Sequence, residues 1–192
     1  MAVNPSTVGL FNLALAFLGG EQLSSTEAPW EKSALGILCA GNFPRVLDNA
    51  LEAHPWSFAR ARAVLARVAD PGLPPVYALP ADCLRPIGLA DGCPYVLEGQ
   101  NLLADAAPAV LDYIKRVEDP SQWPPAFRTA LAWGLAAVLA AARVNDHQKQ
   151  RLCFQHYHLA LSEAMALDQN SQQPAPEPTA WELARRGFPC LV

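Results

Sequence analysis

Apolar residues at helical spacing define the first element of the chain. Asn4 and Pro5 are suited to open a helix, because Asn can cap free N–H groups and Pro at the first helical position loses no hydrogen bond. Gly19-Gly20 is suited to end it as a left-handed C-cap. The pattern predicts a helix over 5–18, with one apolar face that includes Leu10, Leu13, Ala14 and Phe17.

A second helical pattern covers residues 31–53 and contains a proline. Because Pro44 lacks an N–H and its ring crowds the preceding turn, we expect two helical pieces, about 31–42 and 44–53. His54-Pro55-Trp56 then closes the helical section, since a residue before proline avoids the helical region.

Short extended runs broken by Pro and Gly follow, and they predict a small antiparallel β region over 57–118. Its clearest element is a hairpin with strands at 95–97 and 102–104, whose turn contains Gly99. A further strand over 110–117 is expected to pair nearby. We expect the hairpin to project toward a neighbouring subunit as a contact element, through Tyr95, Glu98, Gly99 and Gln100.

Two long amphipathic helices are predicted after Pro124-Pro125, at 125–143 and 147–168, packed antiparallel across a tight turn. The apolar face of the second helix includes Phe154, Tyr157, Leu161, Ala164 and Met165. The predicted fold is therefore α+β, with a β region inserted between N-terminal and C-terminal helices in one domain over 1–169. We expect the core to contain Trp56, Phe58, Leu131, Leu135 and Leu161.

Residues 170–192 are rich in Gln and Pro and cannot bury a core by themselves. Near its end this extended tail carries apolar anchors and a basic pair, namely Trp181, Leu183, Arg185, Arg186 and Phe188. This composition predicts a docking segment that becomes ordered when it binds a partner. Two alternatives remain open at this point. In the first, the tail is a terminus that has no partner. In the second, it folds back on its own subunit.

Composition narrows the functional classes. The 192 residues are 52% apolar and only 17% charged, so partners are expected to cover part of the surface. The net charge of −4 argues against a protein that grips nucleic acid. Five scattered cysteines without a Cys-x-x-Cys pair indicate free thiols in a reducing cytoplasm, and no apolar run is long enough to predict a membrane helix.

The sequence offers little catalytic chemistry. His156 and His158 are two apart on a predicted helix and point to different sides, which disfavours a metal pair. His54 fits a helix-end histidine packed beside a tryptophan better than a lone general base. At Asp82-Cys83 a carboxylate adjoins a thiol, and a carboxylate does not lower the pKa of a neighbouring thiol. We therefore predict no catalytic, cofactor-binding or metal site, and no enzymatic activity.

The order of these elements and several motifs resemble the tail tubular protein A family, the head-to-tail adaptors of tailed bacteriophages. The most specific match is Arg45–Arg60, which reads RVLDNALEAHPWSFAR. Tyr77–Arg85 (YALPADCLR) and Tyr113–Val117 (YIKRV), which leads to Trp123-Pro124, also resemble family blocks. The sequence departs from the family pattern at Asp48-Asn49, where Arg-Asp is expected, and at Gly134, where a larger or basic residue is common.

The resemblance implies a structural virion protein, assembled in the host cytoplasm and located at the head-tail junction. It implies a homo-oligomeric ring of about twelve copies, closed by head-to-tail contacts between identical subunits. This ring would join the portal protein to the tail nozzle or next tail protein, with DNA only passing through and no membrane contact. Two alternatives stay open: a tail-associated cell-wall hydrolase, and an assembly chaperone that shares the fold but leaves the particle.

Overall fold

The computed structural model describes residues 7–20, 22–23, 32–68, 74–141 and 147–171. Helices and two small antiparallel sheets make up this part, which confirms the α+β class with the β region between N-terminal and C-terminal helices. The helices are α1 Thr7–Phe17, α2 Ala34–Glu52, α3 Pro125–Leu139 and α4 His147–Ser171. The strands are β1 Arg60–Val64, β2 Ala66–Arg67, β3 Val76–Ala78, β4 Cys83–Leu89, β5 Tyr95–Glu98, β6 Asn101–Ala104 and β7 Val110–Lys115.

Helix α1 ends in the predicted left-handed cap. Gly19 has a φ of 67° and donates its N–H to Ala16 at 2.9 Å, while Gly20 donates to the carbonyl of Leu15 at 3.0 Å. These two bonds satisfy carbonyls that a helix end otherwise leaves free. The buried face is Leu10, Phe11, Ala14 and Leu15, whereas Leu13, which we placed on the apolar face, is exposed.

Pro44 does not divide the second helix, so the prediction of two pieces at about 31–42 and 44–53 was wrong. Helix α2 runs without interruption through Pro44, and the Ser33 side chain caps it by accepting the N–H of Gly36 at 2.9 Å. The proline removes one backbone hydrogen bond. Burial of residues on both sides of it stabilises the continuous helix, namely Cys39, Phe43, Val46, Leu47, Ala50 and Leu51.

Helix α3 lies at the centre of the bundle and contacts α1, α2 and α4. Leu131 and Leu135 on α3 and Leu161 on α4 are buried in this helical core together with Trp56, and the half-buried Phe58 packs against it. Regular α3 ends at Leu139, before the predicted 143, and α4 continues to Ser171, beyond the predicted 168. Phe154, expected on the buried face of α4, is exposed, so that part of the prediction was wrong.

The β region contains two sheets that share a second hydrophobic core. The strand order is β1-β7-β4 in the first sheet and β2-β3-β6-β5 in the second. Between them lie Leu65, Tyr77, Leu89, Leu102, Leu111 and Tyr113. A short 3-10 turn, Ser57–Ala59, occupies the start of the predicted β region, and β7 ends at Lys115, two residues before the predicted strand end.

Gly134 and Asp48 depart from the family pattern, and the structure around each of them explains why that residue fits its position. A Cβ at Gly134 would lie 2.9 Å from Val46 Cγ1 and 3.0 Å from Tyr157 Cε2, so the glycine lets α2, α3 and α4 approach closely. Asp48 accepts a hydrogen bond from Arg116 Nε at 2.8 Å, which joins α2 to the segment after β7. An arginine at position 48 would place two cations together.

Candidate functional site

The predicted contact hairpin is present as strands β5 and β6. Gly99 and Gln100 form a two-residue turn in which Gly99 has a φ of 61°, a conformation that glycine adopts readily. Glu98, Gly99 and Gln100 are exposed at the tip, whereas Tyr95 is half-buried against the β core. Three of the four residues that we assigned to this contact are therefore accessible to another chain.

Strand β5 carries an apolar surface that sequence reasoning did not single out. It lies at the edge of the four-stranded sheet and pairs only with β6 among the described strands. Successive residues on it point to opposite faces, yet Val96 is 59% exposed and Leu97 is 46% exposed. An edge strand with apolar side chains on both faces is a surface that proteins usually cover. We call residues 95–100 the β5 edge.

The second predicted contact, the tail, lies outside the described residues. This applies to Trp181, Leu183, Arg185, Arg186 and Phe188. Its point of departure is described, because α4 ends at Ser171.

A polar group of three residues joins the helical core to the β region: His54 and Asp168 are buried, and Ser57 is exposed. We call His54, Ser57 and Asp168 the junction cluster. Ser57 donates its hydroxyl to Asp168 Oδ1 at 2.5 Å, and its backbone N–H lies 3.2 Å from both carboxylate oxygens. His54 Nε2 lies 3.3 Å from Asp168 Oδ2. That separation is within ion-pair range, but the contact does not meet hydrogen-bond geometry.

The order of contacts in the junction cluster does not match a hydrolytic triad. In such a triad a base accepts the hydroxyl proton of the nucleophile, and a carboxylate orients that base. Here the carboxylate of Asp168 accepts the Ser57 hydroxyl directly, and His54 contacts the same carboxylate. His54 also packs edge to face on Trp56, with ring centroids 4.9 Å apart. The arrangement is suited to holding the end of α4 against the start of the β region.

Asp168 carried a signal that sequence reasoning missed. Leu161, Ala164 and Asp168 are spaced three and four residues apart, so all three lie on the buried face of α4. A carboxylate within an apolar helix face requires hydrogen-bond partners. Those partners come from a segment 111 residues earlier in the chain, and spacing alone could not identify them.

A cavity of about 410 Å³ lies beside the junction cluster at the end of α4. We call it the α4 cavity. Most of its lining is apolar, from Trp56, Pro124, Pro125, Ala126, Phe127, Ala164 and Leu167, and Ser57, Asp168 and Ser171 complete it.

The other titratable candidates have structural surroundings. Burial and, second to it, the Asp82 carboxylate together raise the pKa of the Cys83 thiol to about 11, as expected for an unactivated cysteine. His156 stacks on Trp133 with ring centroids 4.5 Å apart, while His158 is exposed. Within the described ranges, His, Cys, Asp and Glu side chains form no group of three or more that could hold a metal ion.

None of the helices in the described part is both long and apolar enough to cross a membrane. No protein-family model matches the chain, and no curated protein matches it. The resemblance to the tail tubular protein A family stays a prediction.

Proposed function

We propose that this protein is a structural virion subunit, a head-to-tail adaptor without enzymatic activity. In this proposal about twelve copies form a ring at the head-tail junction through head-to-tail contacts. The ring joins the portal to the tail nozzle or the next tail protein. The subunits assemble in the host cytoplasm.

The β5 edge is the observation that carries the proposal. Val96 and Leu97 expose large apolar side chains on a strand that, among the described strands, pairs on one side only, with β6. In a ring, the β5 edge of each subunit contacts a different surface of the next subunit, which buries these side chains and pairs the strand edge. Glu98 and Gln100 at the exposed tip then lie at the subunit or ring boundary.

The net charge of the chain supports the proposal that DNA passes through the centre of the ring. The chain has 14 Lys and Arg residues against 18 Asp and Glu residues, so the net charge is −4 with histidines neutral. A ring of negatively charged subunits repels the phosphate backbone and lets DNA pass without holding it. At the other boundary, the tail residues Trp181, Leu183, Arg185, Arg186 and Phe188 supply the contact with the portal.

The test is assembly of the purified protein and of a matched pair of variants, measured by native mass spectrometry and electron microscopy. We expect closed rings from the wild-type chain. Val96→Asp places a charge in the proposed contact and should reduce the ring population about tenfold or more, which corresponds to about 1.4 kcal/mol. Val64→Asp makes the same change at another exposed strand valine and should leave rings intact.

Crosslinking in assembled particles provides the second measurement. A photoreactive residue at Gln100 should capture a neighbouring chain, and a chain stopped after Asn170 should fail to attach to portal-bearing heads. A protein that remains monomeric at all concentrations and is missing from particles would overturn the adaptor proposal. If Val96→Asp and Val64→Asp gave the same ring population, the role of the β5 edge would be contradicted.

A further inference from the structure

The α4 cavity has the volume and the apolar lining to hold a bulky apolar side chain. Its volume of about 410 Å³ falls within the range of protein cavities that bind small ligands. Its lining includes Trp56 and Phe127, whose side chains are fully buried and whose rings lie in edge-to-face contact with centroids 4.9 Å apart. Leu167, at its margin, is 54% exposed. An open apolar cavity beside an exposed leucine favours an occupant over water.

The chain itself supplies a matching side chain nearby. Ser171, the last residue of α4, lines the cavity, so the following segment starts at its margin. The next tryptophan is Trp181, ten residues later. Ten residues of extended chain span at most about 36 Å, which is enough to leave the helix and return to the cavity.

The composition of residues 172–192 fits this occupancy. Pro174, Pro176 and Pro178 favour an extended conformation without internal hydrogen bonds, which lowers the entropy lost when the segment docks. A tryptophan ring buries about 150–250 Å² when it packs.

We propose that in the free subunit the C-terminal segment folds back and places Trp181 in the α4 cavity of its own chain. The contact requires neither a ring nor a portal, so it stands or falls independently of the adaptor role. If the adaptor role also holds, the portal competes with the α4 cavity for the same segment. The cavity then keeps the apolar anchors of the tail covered until assembly.

Photocrosslinking in the full-length purified protein tests the contact directly. A photoreactive residue at Leu167 should form an intrachain crosslink with residues 172–192, identified by mass spectrometry of the monomer. The matched control is Leu159, which is 67% exposed on the same helix but away from the cavity, and there we expect no such crosslink. A Leu167 crosslink only to the tail of a second copy, or none to any tail, would overturn the proposal.

Trypsin cleavage after Arg185 and Arg186 gives an independent measurement on the full chain. A docked tail is cut only when it opens, so cleavage should be slow in the wild-type protein. Leu167→Glu places a charge at the cavity margin and should accelerate cleavage about tenfold or more, a factor that corresponds to about 1.4 kcal/mol. Leu159→Glu should cleave at the wild-type rate. Equal rates for the wild type and both variants would also overturn the proposal.

Discussion

The hydroxyl of Ser57 donates a 2.5 Å hydrogen bond to the Asp168 carboxylate, which joins the start of the β region to the end of α4. The adjacent Trp56 is also anchored, because its Nε1 donates to the carbonyl of Ala50 at 2.8 Å. Trp56 packs on Phe127 of α3. The residues between α2 and β1 therefore contact α2, α3 and α4, which places the β region relative to the bundle.

Removal of the Asp168 carboxylate should destabilise the subunit. Asp168→Ala removes the acceptor of the Ser57 N–H and hydroxyl, which are exposed enough to bind water instead, and should lower the free energy of unfolding by about 1–2 kcal/mol. Asp168→Asn retains one acceptor oxygen and should cost about half as much. Urea denaturation monitored by circular dichroism measures both.

Glu163→Ala is the control for the Asp168 variants, because Glu163 is exposed on the same helix and its loss should change stability by less than about 0.5 kcal/mol. Comparable stability of Asp168→Ala and Glu163→Ala would show that the junction cluster contributes nothing to holding α4.

The helices and the hairpin could be predicted because their signals are local. Apolar residues repeat at helical spacing in α3 and α4, and a glycine stands at the hairpin turn where a positive φ is needed. Leu131, Leu135 and Leu161 lie in the core for the same reason. These features depend on residues within a few positions of one another.

The features that sequence reasoning missed depend on distant residues. Local proline chemistry favours a break at Pro44, but burial of α2 against α3 outweighs one lost hydrogen bond. The division of the strands into two sheets follows from pairings such as β1 with β7, about 50 residues apart. Asp168 and Ser57 meet for the same nonlocal reason. The exposure of Val96 and Leu97 emerges only when the hairpin lies at a sheet edge.

Truncation of the buried leucines should be costly. Leu135 on α3 and Leu161 on α4 lie in the helical core, so Leu135→Ala and Leu161→Ala should each destabilise the subunit by about 2–5 kcal/mol. Leu152→Ala removes the same atoms from an exposed position on α4 and should cost less than about 1 kcal/mol. Thermal and denaturant unfolding measure the differences. Similar losses at Leu152 and Leu135 would mean that the buried faces are misassigned.

The Cys83 thiol should be unreactive near neutral pH. A pKa of about 11 keeps it protonated at pH 8, so its alkylation should be roughly 100-fold slower than that of a thiol with the usual pKa of about 8.5. The folded pKa exceeds the unfolded one, so Cys83 should lower stability as pH rises from about 8.5 toward 11. Cysteine-resolved mass spectrometry after alkylation, and unfolding of Cys83→Ala across that pH range, check these statements. Alkylation as fast as in the denatured chain would contradict them.

Two glycines within helices provide a final comparison, because the same substitution should have opposite effects on them. Gly41 on α2 is exposed, and a Cβ there meets no described atom within 4 Å. Gly41→Ala should therefore stabilise the subunit by about 0.5–1 kcal/mol through helix propensity.

Gly134→Ala gains the same propensity but forces its Cβ to 2.9 Å from Val46 Cγ1, on a β-branched side chain with little rotamer freedom in a helix. Overpacking of this kind costs about 1–3 kcal/mol, so the net effect should be a loss of up to about 2 kcal/mol. Denaturant unfolding of both variants decides the matter. If Gly134→Ala stabilised the protein as much as Gly41→Ala, the close approach of α2, α3 and α4 at this glycine would be wrong.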